Sequence, residues 1–273
     1  MKRRKGVQRE LDAIRAVRSN FVRRGFSTSV SWLDFLYTNI KEGNPSDYLQ
    51  DWRDLVNAYE NDIKRFGEFP LKIYKQINHI FAYIINEDIN KFSALLEEAH
   101  PFFVDWRKTQ ENLIKISQIT KEDIPSMEPT ARYYLFCFTY LIAIEGSYEN
   151  WIKILYYLLY NFRSGEINFN RVQKKSLRSI KRWMINHDVD NILFEAYENG
   201  HLRNAIAHAH FEYDEITKKM LFIDYYRGEE TYKKELNLRE FEDNLQTVFL
   251  IPDICTNMIM LLRILDVVRK LYL

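Results

Sequence analysis

Along most of this chain apolar residues recur at intervals of three and four, with little glycine or proline to interrupt them. That spacing matches the ~3.6 residues of a helical turn, so it commits the chain to amphipathic helices that must bury one face each. With only 8 glycines and 6 prolines in 273 residues, there are few places where such helices can end. Residues 46–66 show the logic: Ser46 is the expected N-cap, Leu49, Trp52, Leu55, Val56, Tyr59, Ile63 and Phe66 form one stripe, and Gly67 terminates it. In residues 70–86, Pro70 takes a permitted first-turn position, and Ile73, Ile77, Ile80, Phe81 and Ile84 share a face. A further helix is expected over 102–119.

The helical pattern breaks most clearly at "TKEDIPSMEPT", residues 120–130, where two prolines sit among capping-type residues. We place a boundary there, dividing an N-terminal helical region of unknown role, 1–120, from a second helical domain, 121–273. The second begins with a long helical run from Ala131 to Phe162, roughly 48 Å at the usual rise, with Gly146 as its point of kinking. Helix follows around Val172, Leu177, Ile180, Trp183 and Met184, then from Ile192 to His210 with Gly200 as an interruption. The period then changes. "FEYDEITKKMLFIDYYRGEETYKKEL" alternates β-branched and aromatic residues between turn signals at "DEITKK" and "RGEE", which predicts a two- or three-stranded meander. Asn237 and Glu240 form a capping-box pattern that restarts helix to the C-terminus, with a break at Pro252. The expected fold is mainly α: a helical bundle with a small β-meander inserted after the helix that ends near His210, plus the N-terminal helical region.

Composition excludes several classes of function. A net charge of +1 argues against a globally basic nucleic-acid binder while allowing local basic patches. Cys137 and Cys255 lie far apart in apolar runs and read as buried thiols in a reducing compartment. The basic start is followed by charged residues where a secretory signal needs an apolar run. The apolar stretches 133–144 and 254–262, closed by Glu145 and Arg263, fall short of the ~20 residues that span a bilayer. The expectation is a soluble, cytoplasmic protein without a membrane partner. No P-loop, GxSxG, zinc-ligand spacing or dinucleotide fingerprint occurs, so neither metal nor cofactor is expected.

One stretch stands out, "HLRNAIAHAHFEYD", residues 201–214, which holds three of the six histidines, His201, His208 and His210. On a helix, Leu202, Ala205, Ile206 and Ala209 form an apolar stripe, leaving Arg203, Asn204, Ala207, His208 and His210 on the other side. Asn204 and His208 are one turn apart, and the small Ala207 lets something approach the backbone closely, such as a second copy of the helix or a nucleotide. Histidine exchanges protons near neutral pH, and arginine presents a fork of donors matched to phosphate oxygens. RNA supplies its own nucleophile in the 2′-hydroxyl, so moving protons and stabilising charge on the phosphate suffices for cleavage.

"RNAIAH", Arg203 to His208, resembles the R-x4-6-H motif of the HEPN superfamily in its form with a polar residue directly after the arginine. The resemblance extends over about 128–273: a long preceding helix, short strands after the histidine and a closing helix. It implies a metal-independent endoribonuclease acting as a homodimer, of the kind found among prokaryotic toxins and antiviral defence effectors, with RNA as substrate and an antitoxin or regulatory protein as a further partner. It assigns proton transfer to His208, phosphate binding to Arg203, and orientation of His208 or a phosphate contact to Asn204. His210 also satisfies the spacing, although His208 fits the usual form. His201, His79, His100 and His187 read as structural or exposed. A further acidic-to-basic motif of the family has a candidate in Glu149 and Lys153, with Glu145 as an alternative carrier of the acid. Two basic stretches could contact RNA: residues 1–24, and residues 163–182 with Lys174, Lys175, Arg178, Lys181 and Arg182 just before the motif helix. The rival reading of the same resemblance is a noncatalytic HEPN module that binds a protein or nucleotide partner.

Overall fold

The structure is a computed structural model that describes residues 2–42, 48–103, 108–109, 111–113, 115–116, 126–195 and 200–272. It is mainly helical with one small antiparallel sheet, as the apolar period and the meander predict. Two compact units emerge, one formed by Met1–Ile89 with Asp253–Leu273, the other by Asn90–Pro252. They do not follow the boundary expected near residue 120.

The first unit holds α1 (Lys2–Arg23), α2 (Ser27–Glu42), α3 (Tyr48–Lys64), the start of α4 (Glu68–Glu98) and the end of the last helix. The stripe of α3 buries Leu55, Val56, Tyr59 and Ile63, while Phe66 lies past the helix end and is exposed. Gly67, at φ 108°, provides the left-handed turn that stops the helix. The N-cap expected at Ser46 lies outside the described residues. Tyr59 is the hub of an aromatic cluster with Phe21, Phe26 and Tyr74, at ring separations of 5.3 to 5.7 Å. Its phenol accepts a hydrogen bond from Asn257 Nδ2 at 2.8 Å, which ties the C-terminal helix into this core. The inward residues expected of 70–86, Ile73, Ile77, Ile80, Phe81 and Ile84, are all buried. Extended backbone at Asp88 then kinks α4.

The second unit contains the remaining elements. The long run expected from 131 to 162 is not a plain helix: α5 (Pro129–Ala143) passes through a π-helical turn, Ile144–Tyr148, into α6 (Glu149–Arg163). The irregularity expected at Gly146 takes the form of a π-helical turn, one inserted residue in the helix. Asn150 Nδ2 donates to the carbonyls of Glu145 and Gly146, at 3.3 and 3.2 Å, so the widened turn keeps its acceptors occupied. The helix predicted around Val172 to Met184 is two, α7 (Phe169–Gln173) and α8 (Leu177–Ile185), capped by Asn168 and Ser176. The motif helix is shorter than predicted: a 3-10 turn (Asn191–Phe194) precedes α9 (Gly200–Ala207). Three strands follow in meander order, β1 (Phe211–Asp214), β2 (Lys219–Tyr226) and β3 (Glu229–Leu236), all antiparallel. The predicted capping box then opens α10 (Leu238–Tyr272): Asn237 N–H donates to Glu240 Oε2 at 2.8 Å, and Glu240 N–H to Asn237 Oδ1 at 3.0 Å. Pro252 stays inside α10, at the point where the two units divide.

Packing explains why the units ignore the boundary at 120. Lys91 Nζ donates to Asn161 O at 2.7 Å, and Glu98 accepts from Tyr157 Oη at 2.7 Å and from Phe169 N–H at 3.0 Å. Phe102 packs its ring on Trp151 and Phe169. Residues 90–103 therefore complete the second core, and the break at 120–130 separates segments in sequence without separating cores; residues 120–125 themselves lie outside the described set. Only part of the helix expected over 102–119 is described. Cys137 and Cys255 are free and buried; burial pushes the Cys137 thiol up to about 12 and the Cys255 thiol well above its ordinary value. Among the described residues, Leu238–Arg263 is long and apolar enough to cross a membrane by length and composition, and 56% of its apolar window is buried within the structure.

Candidate active site

The site is built on α9, whose buried Leu202, Ala205 and Ile206 anchor it, leaving the polar residues of "RNAIAH" at or near the surface. Ala209 does not belong to the buried stripe. It stands past the helix end, exposed, at φ 55°. Ala209 N–H donates to Ile206 O at 3.1 Å and His210 N–H to Ala205 O at 2.7 Å, the paired bonds of a Schellman ending. His208 is thus the first residue after the helix, with its N–H still donating to Asn204 O at 3.0 Å. His210 has left the helix altogether and accepts from Ile223 N–H at 2.9 Å, beside β2. The two imidazoles lie 5.9 Å apart, and His210 meets Tyr225 edge-on. Neither side chain makes a hydrogen bond within the described residues.

Arg203 and Asn204 are engaged. Arg203 directs Nε and Nη2 to Glu145 Oε1, at 2.9 and 2.6 Å, and Nη1 to Asn204 Oδ1 at 3.2 Å. The Arg203 and Glu145 side chains remain 41% and 43% exposed, so the guanidinium is oriented yet open to solvent. Of the two acids considered for the motif on the preceding helix, Glu145 contacts Arg203, whereas Glu149 pairs with Lys153 Nζ at 2.8 Å. Lys153 is nearly buried and donates to Gln173 O at 3.0 Å, a contact that ties α6 to α7. Glu145, Glu149 and Arg203 line an open cleft of about 210 Å³ with Ile144, Ser176 and Leu177. A water occupies ~30 Å³ of liquid, so the cleft has room for a phosphate group and part of a ribose.

Asn204 leads to Asp224, and through it to His201, a residue whose sequence context reads as structural or exposed. Its Nδ2 donates to Asp224 Oδ2 at 3.2 Å, and the same oxygen accepts from His201 Nδ1 at 2.8 Å. Strand alternation places Asp224 there: Met220, Phe222 and Asp224 point inward from β2, while Leu221 and Ile223 point outward. A bulge between Asp224 and Tyr225 breaks the register just beyond it. Tyr232, opposite Asp224 on β3, stacks on the His201 ring at 5.2 Å and 13°. A signal for this network does exist in the sequence. A carboxylate takes the third inward position of an otherwise apolar strand face, and His201 lies three residues before Asn204 on the helix.

The basic stretches differ in their commitments. In the first, Arg15 bonds the Tyr37 hydroxyl, Arg18 pairs with Asp34 and Arg24 with Asp253. The side chains of Lys2, Arg3, Arg4, Lys5 and Arg9 lie outside the described set. In the second, Lys175 and Lys181 set their ammonium groups over Tyr156 and Phe194, at 5.9 and 5.8 Å. Lys174, Arg178 and Arg182 are exposed and make no ion pair among the described residues. Arg178 follows directly on Ser176 and Leu177 of the cleft. Among the described residues no group of three or more His, Cys, Asp or Glu side chains could hold a metal ion. Compared with family models, curated proteins and solved structures, the chain matches none.

Proposed function

We propose that this chain is an endoribonuclease of HEPN type, cutting RNA by attack of its own 2′-hydroxyl without a metal or cofactor, in the role of a toxin or antiviral defence effector. The observation that carries the reading is the junction at Arg203. One solvent-open guanidinium is oriented by Glu145 and bonded to Asn204, at an open cleft that Leu177, the first residue of α8, helps to line. An arginine so placed binds a scissile phosphate and the charge that accumulates on its oxygens. Asn204 holds the guanidinium from the helix side, and His208 stands free to transfer a proton. Arg178 and Arg182, one helical turn apart, together with Lys174, give the RNA backbone a track leading to the cleft.

The homodimer belongs to the same proposal. Tyr134, Phe138 and Ile142, at successive turns of α5, leave an apolar stripe in solvent that leads toward Glu145, with Phe138 61% exposed. Burial of that stripe against a second copy would bring two Arg203 guanidinium groups to one composite cleft. An antitoxin or other regulatory protein would use the same surface or the cleft.

A noncatalytic module is favoured by one specific feature: Glu145 already neutralises Arg203, and a carboxylate competes with phosphate for the same donors. Incubating purified protein with single-stranded RNA in EDTA separates the two readings. Cleavage to 2′,3′-cyclic phosphate and 5′-hydroxyl ends, lost in Arg203→Ala and in His208→Ala, supports the nuclease. RNA or partner binding with intact RNA supports the module.

A further inference from the structure

Taking the ribonuclease reading as its basis, we infer that His201 is a second proton-transferring residue of this site, the base that activates the 2′-hydroxyl, while His208 is the acid that protonates the departing oxygen. His201 Nδ1 lies 2.8 Å from Asp224 Oδ2, and that oxygen also accepts from Asn204 Nδ2. An oxygen that accepts from its neighbours fixes the histidine tautomer: Nδ1 carries the hydrogen, and the lone pair is on Nε2. The His201 side chain is 50% exposed whereas Asp224 is 8% exposed, so the ring is gripped from within and open at its outer edge. Stacking on Tyr232 fixes its plane. No other hydrogen bond to the ring occurs among the described residues. This is the arrangement a general base requires, in which a buried carboxylate orients the imidazole and stabilises the imidazolium that forms when Nε2 takes a proton.

The network joins His201 to the motif. From Glu145 through Arg203, Asn204 and Asp224 to His201 the hydrogen bonds are continuous, whereas His208 stands outside them. Positions 201, 204 and 208 fall within about 60° of one another around the helix. The backbone positions of His201 and His208 are two turns apart, ~10.5 Å along the axis, a span comparable with one phosphodiester linkage and the two hydrogen bonds to it. His201 Nε2 takes the 2′-hydroxyl proton as the 2′-oxygen bonds to phosphorus. The bond from phosphorus to the 5′-oxygen breaks, and His208 delivers a proton to that oxygen. The products are a 2′,3′-cyclic phosphate and a 5′-hydroxyl, and a proton passed from His201 to His208 through water resets the site. Asp224 is a positioning residue, acting through His201.

The experiment uses the full chain and a synthetic mixed-sequence RNA oligonucleotide in EDTA, alongside the same RNA with sulfur replacing the 5′-bridging oxygen at the cut linkage. Sulfur leaves without being protonated, so loss of an acid is rescued on the sulfur substrate and loss of a base is not. His201→Ala is expected to slow cleavage of both substrates by ~10²- to 10⁴-fold, and His208→Ala to slow only the oxygen substrate. Asp224→Asn is expected to follow His201→Ala, without sulfur rescue. His201 is half exposed, so its alanine variant keeps the fold, which far-ultraviolet circular dichroism checks. Wild-type cleavage that needs Arg203 but survives His201→Ala, or sulfur rescue of His201→Ala, overturns this inference alone. Failure of the wild type to cut RNA at all overturns the ribonuclease reading and His201's role with it.

Discussion

At the residue scale, the two polar pairs that meet on α9 differ in burial, and their energetics differ with it. Arg203 and Glu145 form a close ion pair at 2.6 Å, but both side chains are about two-fifths exposed. Solvent screening limits such a pair to ~0–1 kcal/mol of stability. Asp224 is buried, and two donors converge on one of its oxygens. Replacing it by alanine strands the Asn204 amide without that acceptor, at ~1–3 kcal/mol. Urea denaturation should therefore show Arg203→Ala within ~1 kcal/mol of wild type and Asp224→Ala clearly less stable. The reverse order would mean that the guanidinium is structural, and its proposed role in binding phosphate would lose its main support.

At the scale of elements, the π-helical turn sets where Glu145 meets Arg203. Gly146 lies in this turn, and a Cβ added there would stand 2.7 Å from Thr109 Cγ2 and 3.2 Å from its hydroxyl oxygen. Alanine ordinarily gains ~1 kcal/mol over glycine inside a helix. Here the Thr109 side chain must shift or rotate to admit the methyl group, so Gly146→Ala should instead destabilise by ~1–3 kcal/mol. Combining it with Thr109→Ala, which removes the two nearest atoms, should recover most of that loss in a double-mutant cycle followed by thermal melting. A simple gain in the single variant would show that the helix wall near Thr109 yields freely. The same turn explains the roles of the two glutamates. Glu145, inside the widened turn, reaches across to α9, whereas Glu149 opens α6 and meets Lys153 one turn later.

For the whole molecule, the division into cores decides which truncations can fold. Residues 90–103 supply Lys91, Glu98 and Phe102 to the second unit, where they hold Asn161, Tyr157, Phe169 and Trp151. A chain cut to 121–273 loses all of these, along with the partners of the half of α10 beyond Pro252. It should melt without a cooperative transition, as circular dichroism against temperature would show. Retention of a sharp, wild-type transition would mean that the packing of residues 90–103 adds little to that core. The consequence for function is practical: loss of activity in a fragment that begins at 121 would report unfolding, not removal of a regulatory region.

The sequence alone determined the helical class, the meander, the capping box at Asn237 and the surface position of Arg203 and Asn204, because each depends on residues within a few positions of one another. Hydrophobic period, strand alternation and cap chemistry are local, so they can be read without knowing what lies opposite. Tertiary structure decided the rest. The length of α9 was set by its Schellman ending at Ala209, a left-handed residue with no glycine to announce it. The choice of Glu145 over Glu149 as Arg203's partner required the packing of two helices 58 residues apart in sequence. The His201–Asp224 pair depended on strand register, which brings residue 224 beneath residue 201 only once the meander has folded back on the helix. The two cores followed contacts of residues 90–103 rather than the prolines near 125, because a break in helical pattern marks where a chain turns and carries no information about which surfaces it then covers.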